Sequence, residues 1–138
     1  MIDRTQGIAV DASHSTKNKM TEYRGVDLST GKELFREKLG NQTINIGEFL
    51  AIVEAVKEIY ETGYKPAVIF SDSMVAINWF VHRKTSSGKR NSRLMKAECY
   101  LRLMDEKIKG IKIIHWNNDK WGEIPADFHR KGNGTPIL

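Results

Sequence analysis

Cysteine is nearly absent from these 138 residues: Cys99 stands alone. No disulfide can close within the chain, so a reducing, cytoplasmic setting is expected. Long apolar runs are missing as well. No stretch approaches the roughly 20 residues a bilayer-spanning helix needs, and no membrane association is expected. The opening segment MIDRTQG has neither an apolar core nor a basic run, so it does not read as a secretory signal. Internal repeats, low-complexity tracts and long linkers are lacking too. One domain over 1–138 is therefore expected, as a monomer with no obligate protein partner. Hydrophobic content of 40% and charged content of 28% fit an ordinary globular chain. At this length, about two-thirds of the unfolded surface can be buried. The net charge of +5 permits a polyanionic partner without demanding one.

Periodicity divides the chain into alternating strands and helices. Residues 7–12 read as a first strand. MTEYRGVDL (20–28) and KELFREKL (32–39) read as two more, joined in hairpin fashion by Ser29-Thr30-Gly31. From Gly47 to Thr62 the period becomes helical, with Phe49, Leu50, Ile52, Val53, Val56, Ile59 and Tyr60 on one face and Gly63 closing it. A fourth strand over 67–71 leads into a helix from Ser73 to Val81. After a polar loop, Leu94, Ala97, Leu101, Met104 and Ile108 mark one further helix. IKIIHW (111–116) is a fifth strand, and PADFHRK begins a short last helix with Pro125 at its first position. The expected fold class is α/β: a five-stranded mixed sheet flanked by helices, its antiparallel strands first and its parallel strands added by crossovers. Ligands of such sheets gather beyond the carboxyl ends of parallel strands.

Acids stand where that rule points. Asp11 ends the apolar run Ile8-Ala9-Val10, and Asp72 follows Ala67-Val68-Ile69-Phe70 and one serine. Asp72 could be a simple turn or cap residue, although Ser73 would serve equally well as the cap. Asn45 and Glu48 have the spacing of a capping box. Yet Glu48 shares a helical column with Ile52, Ala55 and Ile59, a strip that should face the sheet. Asp127, in EIPADFHRK, sits where a helix dipole alone would favour an acid. Taken together, two acids end neighbouring strands and two open helices packed on the same sheet. Two unit charges about 4 Å apart repel by roughly 4 kcal/mol at an effective dielectric near 20. Such a cluster calls for raised pKa values or for cations between the oxygens. All-oxygen donors suit Mg²⁺ or Mn²⁺, and a pair of such ions about 3.5–4 Å apart is a phosphoryl-transfer device.

The order and context of these acids resemble the type 1 ribonuclease H family. The matching segments are AVDAS, TINIGEFLAIVEAV, FSDS and EIPADFHRK, spread over roughly residues 7–131. The resemblance implies a ribonuclease H-like fold with Asp11, Glu48, Asp72 and Asp127 as catalytic acids holding two Mg²⁺ ions, Mn²⁺ being the alternative. It implies hydrolysis of the RNA strand of an RNA–DNA hybrid, leaving a 5′-phosphate and a 3′-hydroxyl. Asn45 matches an amide that contacts the minor groove of the hybrid. Recognition of RNA beside DNA requires contact with 2′-hydroxyls, with phosphate contacts supplying the remaining affinity. Residues 82–102 offer Lys89, Arg90 and Arg93 among seven cations against one acid, Glu98, as a phosphate-contacting ridge, or as an ordinary solvated face.

Several positions depart from the family pattern. The turn after the first acid is SHSTKNKMTEY, polar and without glycine, and Met74 stands where an amide often contributes. The family's loop histidine, about ten residues before the last acid, is Asn117 here; His115 is the candidate for a displaced auxiliary base, with a strand histidine as the alternative. Trp79, Trp116 and Trp121 are expected to pack in the core rather than stack on bases. Two other functions fit the same acids: a DNA-processing nuclease of the same superfamily, such as a resolvase or transposase domain, and a nucleic-acid-binding module without catalysis.

Overall fold

The structure, a computed structural model, describes residues 2–86 and 91–128. Lys89, Arg90 and His129 lie outside the described residues. The elements run β1 (Ile8–Ser15), β2 (Met20–Asp27), β3 (Glu33–Gly40), α1 (Ile44–Thr62), β4 (Val68–Ser71), α2 (Met74–His82), α3 (Ser92–Leu103), α4 (Asp105–Ile108), β5 (Lys112–His115) and α5 (Asn118–Trp121). They form a five-stranded sheet in the order β3-β2-β1-β4-β5. β1, β2 and β3 pair antiparallel, whereas β4 pairs parallel with β1 and β5 parallel with β4. Among the described residues, no helix is long and apolar enough to cross a membrane.

Two apolar layers sandwich the sheet. On one face, Ile8, Val10 and Ala12 of β1 pack with Ile69 of β4 against Phe49, Ile52, Val53 and Val56 of α1, with Leu94 and Leu101 of α3 behind. On the other, Ala9 and Phe70 pack with Trp116, Ile124 and Ala126. The alternation of Ile8 and Val10 against Ala9 is the period of two that sends side chains to opposite faces. The tryptophans serve this packing. Trp116 is buried edge-on between Phe70 and Trp121, and Trp79 meets Phe49 edge-on at 6.0 Å.

Four local expectations are corrected. β1 does not stop after Ala12: residues 13–15 continue in register opposite Met20, Thr21 and Glu22, because the hairpin partner carries the strand onward without apolar residues. α1 begins three residues early, at Ile44. Its cap is Thr43, whose side chain accepts from the Ile46 N–H at 3.3 Å, in place of an Asn45–Glu48 capping box. That cap leaves Glu48 available for other work. The helix expected through Ile108 breaks at Met104, beyond which Asp105 meets Arg83 at 3.0 Å. Lastly, no helix covers 125–128. The Arg24 guanidinium takes the carbonyls of Ala126 and Asp127, both at 2.7 Å, and those carbonyls are the ones a helix there would offer to its own next turn. Helix appears instead as the single turn of α5, in the segment NNDKWG.

Gly63 closes α1 in the left-handed conformation at φ 75°. Gly47 has a different use. A Cβ there would lie 2.9 Å from the Thr21 methyl and 3.0 Å from the Ala12 Cβ, so the missing side chain lets α1 settle directly onto β1 and β2.

Candidate functional site

Parallel pairing of β1 with β4 ends where Val10 faces Ser71. Beyond that point β1 continues beside β2 alone, and the sheet opens. Asp11 is the first β1 residue past the opening. Asp72 is the first residue past β4. Asp11 follows Ala9 on one face, while α1 brings Glu48 from the other, and the gap lets the two meet. Asp11, Glu48 and Asp127 are buried, each less than a tenth exposed, and Asp72 is half-buried.

One carboxylate oxygen from each of Asp11, Glu48 and Asp72 lies within 4.8 Å of the others. Glu48 carries the electrostatic stress. Burial first, then the charges of Asp11 and Asp72, hold its carboxyl well above the ordinary range. Its carboxylate accepts from the Ala12 backbone N–H, while Oε1 is buried without a hydrogen-bond partner. Buried polar atoms in folded proteins are nearly always paired. An unpaired oxygen on a buried carboxylate that belongs to a cluster of three acids fits a cation ligand. Oxygen donors alone suit a hard ion of the Mg²⁺ or Mn²⁺ type.

Asp127 lines the same cleft, of about 450 Å³, with Asp11, Glu48, Asp72, Ser13, His14 and Asn118. Its place is set from across the sheet. Arg24 holds the backbone on both sides of its peptide, and the guanidinium lies 5.2 Å from the Phe128 ring that follows. Ile44 and Ser73 also line it, Ser73 capping α2 by accepting from the Ala76 N–H.

The remaining anticipated residues fall outside this cluster. Asn45 is half-buried in the first turn of α1, one helical turn before Glu48. Arg93 is exposed in the first turn of α3 and lines a separate groove with Tyr23, Glu54, Lys57 and Lys96. Glu98 is no solvated counter-charge: it is buried and accepts from the Thr85 N–H and hydroxyl at 2.8 and 2.7 Å. His115 is exposed at the end of β5, opposite Ser71, and is not among the residues that line the cleft.

Three cleft residues escaped the sequence reading. Ser13 shares the β1 face of Asp11, which a period of two could have shown. His14 places Nδ1 2.7 Å from the Thr21 hydroxyl oxygen. The Thr21 proton is committed to the Gln42 carbonyl at 2.5 Å, so His14 Nδ1 must be the donor in that contact. Asn118 donates from Nδ2 to Asp72 at 3.0 Å, a contact spanning 46 residues of sequence that no local pattern signals.

No family model matches the sequence. Among solved structures, LC11-RNase H1, isolated from compost by a metagenomic approach, superposes at TM-score 0.56 and 16% identity, over 86% of this chain and 88% of that one. The chain has the ribonuclease H fold. The N-terminal RNase H domain of a Mycobacterium tuberculosis protein, solved as a fusion with maltose-binding protein, matches it at TM-score 0.51 and 13% identity, over 83% and 89% of the two chains. LC11-RNase H1 in complex with an RNA/DNA hybrid matches at TM-score 0.50 and 15% identity, over 82% and 86%. These similarities concern the ribonuclease H fold; the chemistry of the cleft must be argued from its own residues.

Proposed function

We propose that this chain is an endoribonuclease that cuts the RNA strand of RNA–DNA hybrids, leaving 5′-phosphate and 3′-hydroxyl ends. One observation carries the reading: one carboxylate oxygen from each of Asp11, Glu48 and Asp72 lies within 4.8 Å of the others, and the buried Glu48 carboxylate keeps Oε1 without a hydrogen-bond partner. The fold adds support, since a protein of the same architecture has been crystallised with an RNA/DNA hybrid.

Asp11, Glu48 and Asp72, with Asp127 across the cleft, would hold two Mg²⁺ ions, or Mn²⁺ in their place. When bound, such ions make water nucleophilic at neutral pH and stabilise charge on the leaving oxygen. The chain's own residues determine where this happens. Asp11 and Glu48, buried on β1 and α1, form the inner wall of the cleft. Arg24 holds Asp127 by its backbone and leaves its carboxylate directed by the turn after Ile124. Asn45 would reach the minor groove, where an amide can contact 2′-hydroxyls. Arg93, with Lys89 and Arg90 beside it in sequence, would contact phosphates without reading bases.

The deciding experiment is cleavage of end-labelled RNA–DNA hybrid, duplex DNA and duplex RNA, with Mg²⁺ or EDTA, by wild type and Asp72→Asn. Cutting of the hybrid alone, lost on chelation and in the variant, is expected. Equal cutting of duplex DNA would transfer the chain to the DNA-processing nucleases. Tight hybrid binding without cleavage would make it a binding module.

A further inference from the structure

We infer that Asn118 is a positioning residue for Asp72, setting the geometry in which that carboxylate meets a cation; this rests on the hydrolase reading of the cleft. The four acids are held very differently. Asp11 and Glu48 are buried in a strand and a long helix, and Arg24 holds the backbone of Asp127. Asp72 sits in the short connection between β4 and α2, half-buried, where a carboxylate has rotamers to choose from. The hydrogen bond the structure gives its side chain comes from Asn118 Nδ2, at 3.0 Å.

The orientation of that amide is not arbitrary. Asn118 Oδ1 accepts from the Ile124 backbone N–H at 3.2 Å, which identifies the oxygen end and turns the NH₂ toward Asp72. The turn carrying Asn118 is itself braced. Asn117 caps α5 by accepting from the Lys120 N–H at 3.1 Å, and the Trp116 indole N–H donates to the Gly122 carbonyl at 2.8 Å. Trp121 stacks edge-on against Trp116 at 5.3 Å, with the Arg4 guanidinium 4.9 Å over its ring. The turn is thus held at several points, and the bond that orients the amide itself is the one from the Ile124 N–H. Neutrality matters: a lysine here would hold Asp72 equally well but would neutralise the charge a cation needs. An amide occupies Oδ2, leaves the negative charge in place, and frees the second oxygen for the cluster.

Groups that orient metal ligands typically change cation affinity 10–100-fold when removed. The test therefore reads affinity apart from turnover. Mn²⁺ binding to wild type, Asn118→Ala and Asn117→Ala is measured by electron paramagnetic resonance without nucleic acid, alongside kcat and KM on the hybrid and the thermal midpoint. Asn118→Ala is expected to bind Mn²⁺ about tenfold more weakly, at the low end of that range. Its kcat should fall at limiting metal and recover at high metal, with KM for the hybrid unchanged. Asn117→Ala, which removes the α5 cap but not the Asp72 contact, should lower the midpoint and leave Mn²⁺ affinity within about twofold of wild type. Equal Mn²⁺ affinity in Asn118→Ala and wild type overturns the inference, as does equal weakening in both variants. Hybrid left intact by a wild type that does bind Mn²⁺ would instead refute the hydrolase reading and leave the positioning result to stand or fall on its own.

Discussion

Neutralising Asp72 should make the metal-free protein more stable and the metal-loaded protein comparatively weaker. The ligand oxygens of Asp11, Glu48 and Asp72 lie within 4.8 Å of one another. At that separation two unit charges repel by about 3.5 kcal/mol at an effective dielectric near 20, and by about 0.9 kcal/mol if water screens them fully. Asp72 takes part in two such pairs. It is half-buried, so water screens its charge. The relief from Asp72→Asn therefore belongs near the screened end, at about 1–2 kcal/mol in total. The substitution is nearly isosteric, and its amide oxygen can still accept from Asn118, so no packing loss offsets the gain. For a chain between the small and mid-sized classes, 1 kcal/mol moves the midpoint by roughly 4 °C, which gives a rise of about 4–8 °C in EDTA.

Mg²⁺ should reverse the order. A cation at 100 times its Kd adds about 2.7 kcal/mol to the state that binds it. Wild type should receive that increment and Asp72→Asn only a fraction, so the melting curves exchange places on adding metal. Thermal unfolding of both proteins, in EDTA and in a Mg²⁺ series, makes the comparison. Two results would refute the reasoning: a variant less stable than wild type in EDTA, or equal Mg²⁺ increments in both. Either would mean that the three carboxylates do not feel one another or do not share a cation.

Gly47→Ala sets helix propensity against close packing. Alanine gains about 1 kcal/mol in a helix, but its Cβ would press on the Thr21 methyl at 2.9 Å and the Ala12 Cβ at 3.0 Å, both on strands that cannot yield. Overpacking of about 1–3 kcal/mol should win, and urea unfolding should show net destabilisation, with hybrid cleavage falling as Glu48 is displaced. Arg24→Ala removes two charge-assisted bonds to the backbone around Asp127, worth about 1.5–3 kcal/mol each at most; kcat should drop more than KM changes, and an unchanged kcat would show that Asp127 needs no such hold. Asp27 accepts from the Tyr64 hydroxyl at 2.6 Å and from Ser29 and Thr30, first among them Tyr64, and its carboxyl is lowered to about 2. A lowered folded pKa stabilises above the unfolded value of 3.8 and loses that contribution as pH falls toward 2. The stability gap between wild type and Tyr64→Phe, followed by circular dichroism, should therefore narrow across that window; a constant gap would assign the effect to the Gly7 carbonyl contact instead.

Sequence reading was strongest where residues near in the chain decide the outcome. The apolar face of α1, the buried runs of β1 and β4, and the hairpin turn at Ser29-Thr30-Gly31 all follow from period and turn chemistry, and the sheet they imply is the sheet observed. Asp11 and Asp72 were legible because an acid after an apolar run is conspicuous. Legibility failed where a distant residue intervenes. Arg24 reaches the carbonyls of Ala126 and Asp127 across 102 and 103 residues and replaces the expected last helix with a turn. Ser13-His14-Ser15 has no apolar alternation, yet a hairpin partner extends the strand through it. The single turn of α5 is too short to show a period, so nothing local distinguishes Asn118 from a loop residue. Thr43 rather than Asn45 caps α1 because Ile44 and Ile46 already follow the helical path.

The position of Glu48 has a cause beyond its charge. Where β4 ends, β1 is left as an edge on that side, and an edge strand exposes backbone donors that must be satisfied. The Ala12 N–H is such a donor, and the Glu48 carboxylate accepts it. One oxygen thus closes the strand edge while Oε1 is left without a hydrogen-bond partner. The two roles require the helix to lie against the strand at this residue, and Gly47 is what permits the approach. The same opening in the sheet therefore gives the cleft its acid cluster, the backbone donor that anchors Glu48, and the need for a helix residue without a side chain next to it. A glutamine at 48 would still accept from Ala12 and preserve the edge, but its neutral amide would give up the cation. The strand edge and the proposed cation make separable demands on one side chain, and a carboxylate meets both.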